Sequence, residues 1–264
     1  MSVVWMAESR TDQGLLARIG RAGDRVVAEW VGLARLDVAR DGSDVRFTSE
    51  PGALPETVEK IRRGTAALLV RHLRGHLGFH ASAVQHEGAA IAFVGVSGQG
   101  KSTLAAYACS AHGAALVSDD ALAVEREAGS DRWLAVPLER EHWLDREACE
   151  ALGFEVGPSE EKESRLAARA AEQAAVLSAI VLLDFANLAK PQVRRLTPVE
   201  ALAALVPMIL RFVVDEPAAQ RLELDALASL IERVPVVRLE RPRGLVYLPG
   251  SFEALVSYLV QGSP

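Results

Sequence analysis

At 264 residues, half of them hydrophobic and 24% charged, the chain has the composition of a folded globular protein and enough length to bury a substantial core. A formal net charge of −6 argues against an electropositive surface for nucleic acid, and Cys109 and Cys149, without a CxxC pair, indicate neither a disulfide framework nor a zinc ribbon. The N-terminal stretch has no basic region and only a brief apolar run, and the most hydrophobic segment, residues 174–189, is interrupted by Asp184 and Asn187; the expectation is a cytoplasmic chain that engages neither membrane nor nucleic acid.

In chain order, the first fifty residues hold short β-branched runs separated by "AGD" and "DGSD", which predicts a small antiparallel sheet. The stretch "LPETVEKIRRGTAALLVRHLRG" has helical spacing, with Pro55 near its start and Gly75 near its end. Then "ASAV" and "AAIAFVG" flank "QHEG", a predicted hairpin whose second strand runs into a glycine-rich loop. The alanine-rich "STLAAYACSAH" predicts a helix that Gly113 can close in a left-handed conformation. Next, "AALVSDDALAV" reads as a strand, two aspartates and another strand. Residues 125–165 read as polar and irregular, with Trp133 and Trp143 flanking a loop, and a helix is expected from residue 158 into the strand "AIVLLD". Thr197, Pro198 and Glu200 form a capping box that opens "VEALAALVPMILRF". The tail adds the helix "EPAAQRLELDALASLIERV", the strand "VPVVRL" and a last helix after Ser251. The fold class is mixed α and β, written α/β, with an N-terminal β-rich region and helix over residues 1–76 and a catalytic domain over 77–264.

Gly95, Gly100, Lys101 and Ser102 fit G-x-x-x-x-G-K-S, with a β-branched strand before and a helix after, the pattern called a P-loop or Walker A motif. Glycines let the backbone wrap so that N–H groups point inward at anionic oxygens, and the helix N-terminus adds its positive end. Ser97, Gly98, Gln99 and Thr103 complete the cradle. Lys101 is expected to reach the β- and γ-phosphates of ATP, and Ser102 to ligate Mg²⁺. The same loop serves ATPases, GTPases, motors and kinases, so it does not name the reaction.

Phosphoryl transfer also needs a metal-side carboxylate and an oriented acceptor. Asp119 and Asp120 end the next strand after the loop helix, and two adjacent carboxylates repel unless a cation neutralises them, which suits one metal-facing group and one base. Asp184, ending "AIVLLD", resembles a Walker B aspartate, but Phe185 follows it where hydrolytic enzymes often carry Glu. That segment reads mostly as a core strand.

Together, "FHASAV", "GVSGQGKSTLAAYA" and "AALVSDDALAV" resemble the catalytic core of the HPr kinase/phosphorylase family and its smaller HPr-kinase-like relatives. In that family a histidine precedes the phosphate loop on the first hairpin strand, and an Asp-Asp pair follows the loop helix. The resemblance implies a phosphoenolpyruvate-carboxykinase-like core and a kinase that phosphorylates serine. Carried over by position, Asp119 is the general base, His80 its oriented neighbour and Asp120 a metal or structural carboxylate. The match is good over residues 78–125. The family's EIRGLG signature is absent and "AVPLEREHWLD" stands there, so Glu139 or Glu141 is only a guess for the missing acid. That departure, together with an N-terminal region shorter than that of true HPr kinases and unlike it, fits better the relatives that modify peptides, including lasso-peptide kinases acting on a precursor's serine. The segment "VPVVRLERPRGLVYLPGSFEALVSYL" resembles their C-terminal strand and helix, and its Arg241 and Arg243 are candidate phosphate contacts.

His72, His76 and His80 recur at a helical spacing, but Gly75 and Gly78 interrupt it and no carboxylate accompanies the stripe, against a metal site. Lys162 reads as a solvated residue or a substrate contact, and Cys109 as core. The leading expectation is an ATP- and Mg²⁺-dependent serine kinase whose partners are a nucleotide and a protein or peptide acceptor. Oligomers are known among the relatives, which extends a homo-oligomer to this chain as an expectation. The contrasting readings are a nucleotide-binding regulator or assembly partner without transfer, and an ordinary P-loop ATPase using Asp184.

Overall fold

The computed structural model of the protein describes residues 2–12, 14–157, 162–212 and 217–262. It is a mixed α/β fold with several sheets, in two compact units: Met1–Gly78 with Leu210–Asp225, and Phe79–Ile209 with Ala226–Pro264.

In the first unit, β1 (Val4–Thr11), β2 (Gly14–Ala22), β3 (Arg25–Trp30), β4 (Ala34–Ala39) and β5 (Arg46–Ser49) pair antiparallel in sequence order. The predicted turns make that order: Gly23 takes φ 64° between β2 and β3, and Gly42 takes φ 76° between β4 and β5. Alternation along β3 and β4 puts Val26, Ala28, Leu36 and Val38 on one face, buried against Ala66, Leu69 and Val70. Those last three belong to the predicted helix, which is realised as α1 (Pro55–Ile61), a π-type turn (Arg62–Ala66) and α2 (Ala67–Leu73).

The second unit starts from β6 (Leu77–Phe79), which the division crosses, and the hairpin β7 (Ala81–His86) and β8 (Ala89–Val94). Glu87 and Gly88 turn the hairpin with φ 49° and 85°, the conformation that suits a two-residue connection. The glycine loop leads to α3 (Lys101–His112), which Gly113 closes at φ 64° as expected. There follow β9 (Ala115–Ser118), β10 (Leu122–Arg126), β11 (Trp133–Val136), β12 (Glu141–Leu144), α4 (Arg146–Leu152), β13 (Glu163–Leu166) and β14 (Ala175–Phe185). The chain ends with β15 (Gln192–Arg195), α5 (Pro198–Leu205), α6 (Pro217–Arg233), β16 (Val236–Arg241) and α7 (Leu248–Gln261).

β14 is the centre of the sheet. It runs parallel to β8 on one side and β16 on the other, with β7 and then β9 beyond β8, and β15 antiparallel to β16. Its first residues also pair with β11, which pairs with β10. A near-continuous apolar sequence is what a strand buried on both faces requires. Phe93, Val181 and Val237 align across three strands, and this face is covered by Leu104, Ala105 and Ala108 of α3 and by Phe252 and Leu255 of α7. The carboxyl ends of β8, β14 and β16 therefore meet at one edge, the usual place for a ligand crevice in an open α/β sheet.

Several expectations are corrected. Residues 125–165 are not irregular: they carry β11, β12 and α4, and both tryptophans lie on strands. Residues 158–161 of the helix expected from residue 158 lie outside the described residues, and the rest of that stretch is not helical and holds β13. Nonlocal pairing overrides alanine-rich propensity here, because β13 pairs with β12, Leu116 N–H donates to the Arg169 carbonyl at 2.9 Å, and Ala171 N–H donates to Leu116 at 2.7 Å. Strand structure then begins at Ala175 with no helical lead-in. The Thr197 capping box is present, but α5 stops at Leu205 and Pro207 sits in a 3₁₀ turn. The last helix starts at Leu248, three residues before Ser251.

Candidate functional site

The site is built where β8 hands over to α3. Gly100 occupies the N-cap position at φ 73°, and no side chain caps the helix, so no side chain satisfies its first N–H groups. A side chain at Gly100 would place Cβ 2.5 Å from the Arg241 guanidinium, and one at Gly95 would lie 3.0 Å from the Leu183 carbonyl. Both glycines are thus required by φ and by close approach to β14 and β16.

Lys101 is 7% exposed, and its ammonium donates to the carbonyls of Gly95 at 2.8 Å and Val96 at 3.4 Å. Burial pushes its pKa down; Lys162 adds to that push, while Asp120 and Asp119 oppose it. The loop is also tied at its back. Gln99 Oε1 accepts from the Phe185 N–H at 3.0 Å, and Arg241 Nη2 donates to the Gln99 carbonyl at 3.0 Å.

Ser97, Gly98, Gly100, Lys101, Ser102 and Thr103 line a cavity of about 560 Å³. Gly95 and Gln99, expected in the cradle, instead face the strands behind it. His80, Asp120, Lys162, Arg241 and Arg243 line the same cavity, as do two acids that had not been singled out, Asp145 and Glu147. Asp145 caps α4 by accepting from Ala148 N–H at 2.9 Å. Glu139 and Glu141 do not line it, and Glu141 accepts instead from the Ser164 hydroxyl. Asp184 does not line it either and pairs with Arg238 at 3.4 Å.

The two adjacent aspartates have opposite environments. Asp119 is fully buried and does not line the cavity. Its Oδ1 accepts from the Ser82 hydroxyl and from Asp120 N–H at 3.1 Å, and its Oδ2 accepts from Trp143 N–H at 2.8 Å. Burial raises its pKa, opposed by the bonds from Ser82, Trp143 and Ser102. Asp120 is exposed at φ 76°, a strained conformation for a residue with a side chain. His80 Nδ1 lies 3.0 Å from the Asp120 carbonyl and 3.1 Å from its carboxylate. A carbonyl oxygen only accepts, so Nδ1 carries the ring proton, and in the neutral imidazole the lone pair sits on Nε2.

Arg241 and Arg243 both stack on Phe185, with guanidinium carbons 4.6 Å and 4.3 Å from the ring centroid. Arg241 is 2% exposed, and burial together with Arg243 pulls its pKa down to about 10. The hydrogen bond from Ser82 to Asp119 had a signal in the sequence, since Ser82 follows His80 by two positions in "FHASAV". Glu147, Leu245 and Leu248 had none. Cys109 is core, its thiol pushed up to about 12 by burial.

No family model matches the chain, and no curated protein matches it. Among solved structures the chain is similar to the Hpr(Ser) kinase/phosphatase from Coxiella burnetii, at 12% sequence identity and a TM-score of 0.38, over 70% of this chain and 97% of that one. This is a distant likeness. Among the described residues, no helix is long and apolar enough to cross a membrane.

Proposed function

We propose that this chain is a kinase-type phosphotransferase that moves the γ-phosphoryl group of ATP to a hydroxyl, in the leading case a seryl hydroxyl of a protein or peptide. The observation that carries the reading is the sharing of one cavity by a glycine loop with a buried lysine and by an oriented histidine. The cavity's cations also favour a polyanion: Lys162 and Arg243 make no hydrogen bond or ion pair among the described residues. The resemblance of "FHASAV", the loop and the Asp-Asp pair to the HPr kinase/phosphorylase family supports serine as acceptor.

The residues present fit a nucleotide with magnesium. Uncapped N–H groups of α3 and Lys101 would hold the phosphates, and the hydroxyl of Ser102, which lines the cavity, offers a hard oxygen donor of the kind magnesium takes alongside phosphate oxygens. Bound there, magnesium would supply charge neutralisation at the transferred group. The proton-accepting role expected for Asp119 we assign to His80, because Asp119 is out of the cavity with its oxygens engaged. As the acceptor oxygen bonds to phosphorus and the bond to the diphosphate leaving group breaks, the hydroxyl proton passes to His80 Nε2. Asp120 fixes the ring's orientation and balances the imidazolium.

The test follows phosphate transfer from ATP to hydroxyl-bearing peptides and proteins by intact mass. His80→Gln should lower kcat by roughly 10²- to 10⁴-fold with the KM for ATP little changed. Hydrolysis of ATP with no acceptor phosphorylated from a broad library would replace the kinase reading with a hydrolase, and unchanged kcat in His80→Gln would return the base role to an aspartate.

A further inference from the structure

The loop explains only part of the cavity's lining. Beyond the loop, that lining also includes Phe185, Arg243, Gly244, Leu245 and Leu248. Apart from Arg243, these residues have no polar side-chain atoms. The two arginines on Phe185 differ in what they are free to do. Arg241 is buried and gives Nη2 to the Gln99 carbonyl, so it holds the loop. Arg243 is exposed, rests on the Phe185 ring at 4.3 Å, and makes no hydrogen bond or ion pair among the described residues. A phosphate contact would need only its charge. A guanidinium over an aromatic ring, with a half-buried leucine lining the same cavity, can also pack against another planar group.

We propose that this part of the cavity is a nucleobase subsite, in which Arg243, backed by Phe185, stacks on the base and the half-buried Leu245 lies alongside it. The inference rests on the nucleotide reading of the loop and adds the part of the ligand that the loop does not touch. Its ligand class is the heterocycle of a nucleoside triphosphate, held by its π face. Among Phe185, Arg243, Gly244, Leu245 and Leu248, Arg243 alone carries a side-chain donor, and every base offers a π face. Purine identity is therefore weakly read.

The test uses the full chain and three probes with magnesium, ATP, GTP and inorganic tripolyphosphate, by isothermal titration. Arg243→Lys keeps the charge and removes the plane at an exposed position. The expected result is ATP affinity weakened roughly 5- to 10-fold, tripolyphosphate affinity within about twofold of wild type, and ATP and GTP within about tenfold of each other. Equal weakening of ATP and tripolyphosphate would make Arg243 a phosphate contact and overturn the subsite. A preference between ATP and GTP well above tenfold would overturn stacking as the mode of recognition. Tripolyphosphate binding with no gain from the nucleoside would remove the subsite and leave the loop reading intact, whereas wild type binding none of the three probes would remove both.

Discussion

The loop end of the cavity and the Phe185–Arg243 cluster that also lines it are built by different means. At the loop end the backbone makes the surface: Gly100 sits at a positive φ, α3 starts without a side-chain cap, and Lys101, Gln99 and Arg241 tie the loop to itself and to the strands behind it. In the cluster the surface is made by separate side chains, the most exposed of which, Arg243, is held by a single ring contact. A backbone cradle is over-determined, so one added atom disturbs every N–H it presents. A side-chain platform can lose one member and keep the rest. Changes in the first region should abolish binding, and changes in the second should tune it.

The largest effect is expected for Gly100→Ala. The new Cβ would meet the Arg241 guanidinium at 2.5 Å in a backbone conformation that alanine resists. Nucleotide affinity should fall on the order of 100-fold, against a mild loss for Arg243→Lys, as read by titration with ATP. Equal sensitivity in the two regions would break the contrast.

The smallest effect on binding is expected for His142→Leu, which separates stability from both regions. His142 is fully buried, neither ring nitrogen has a hydrogen-bond partner among the described residues, and burial pulls its pKa from 6.5 to about 4. Its folded pKa lies below the unfolded one, so on acidification the unfolded state takes the proton first. Stability should fall as pH drops from 6.5 towards about 4, by up to about 3 kcal/mol. Denaturant unfolding across that range should show a flatter pH slope in His142→Leu, with ATP affinity at neutral pH unchanged. An unaltered slope would mean that other groups dominate acid sensitivity.

How much of this was legible in the sequence follows the same division. The loop, the β7–β8 hairpin and the Gly113 stop leave marks because they need positive φ, and glycine supplies it at little cost. The strands β11 to β13 left few marks, since their order comes from partners far along the chain, such as β12 with β13, and the intervening alanines favoured the wrong element. Asp119 and Asp120 are chemically identical neighbours, and the sequence contains the pair but not which member turns inward. That depends on Ser82 and on the Trp143 N–H, 24 positions away. The Phe185–Arg243 cluster was hidden for the same reason: Phe185 and Arg243 meet only because β14 and β16 run side by side.

Transfer and base stacking alike require the loop end to be a polyphosphate site. The measurement that tests this most directly is equilibrium binding of ATP with magnesium to the wild-type chain and to Lys101→Ala, without any acceptor. Saturable binding by wild type and a loss on the order of 100-fold in Lys101→Ala is the predicted result. Equal affinities in the two proteins would contradict it, because the buried ammonium at the centre of the cradle would then be holding only the loop's own carbonyls.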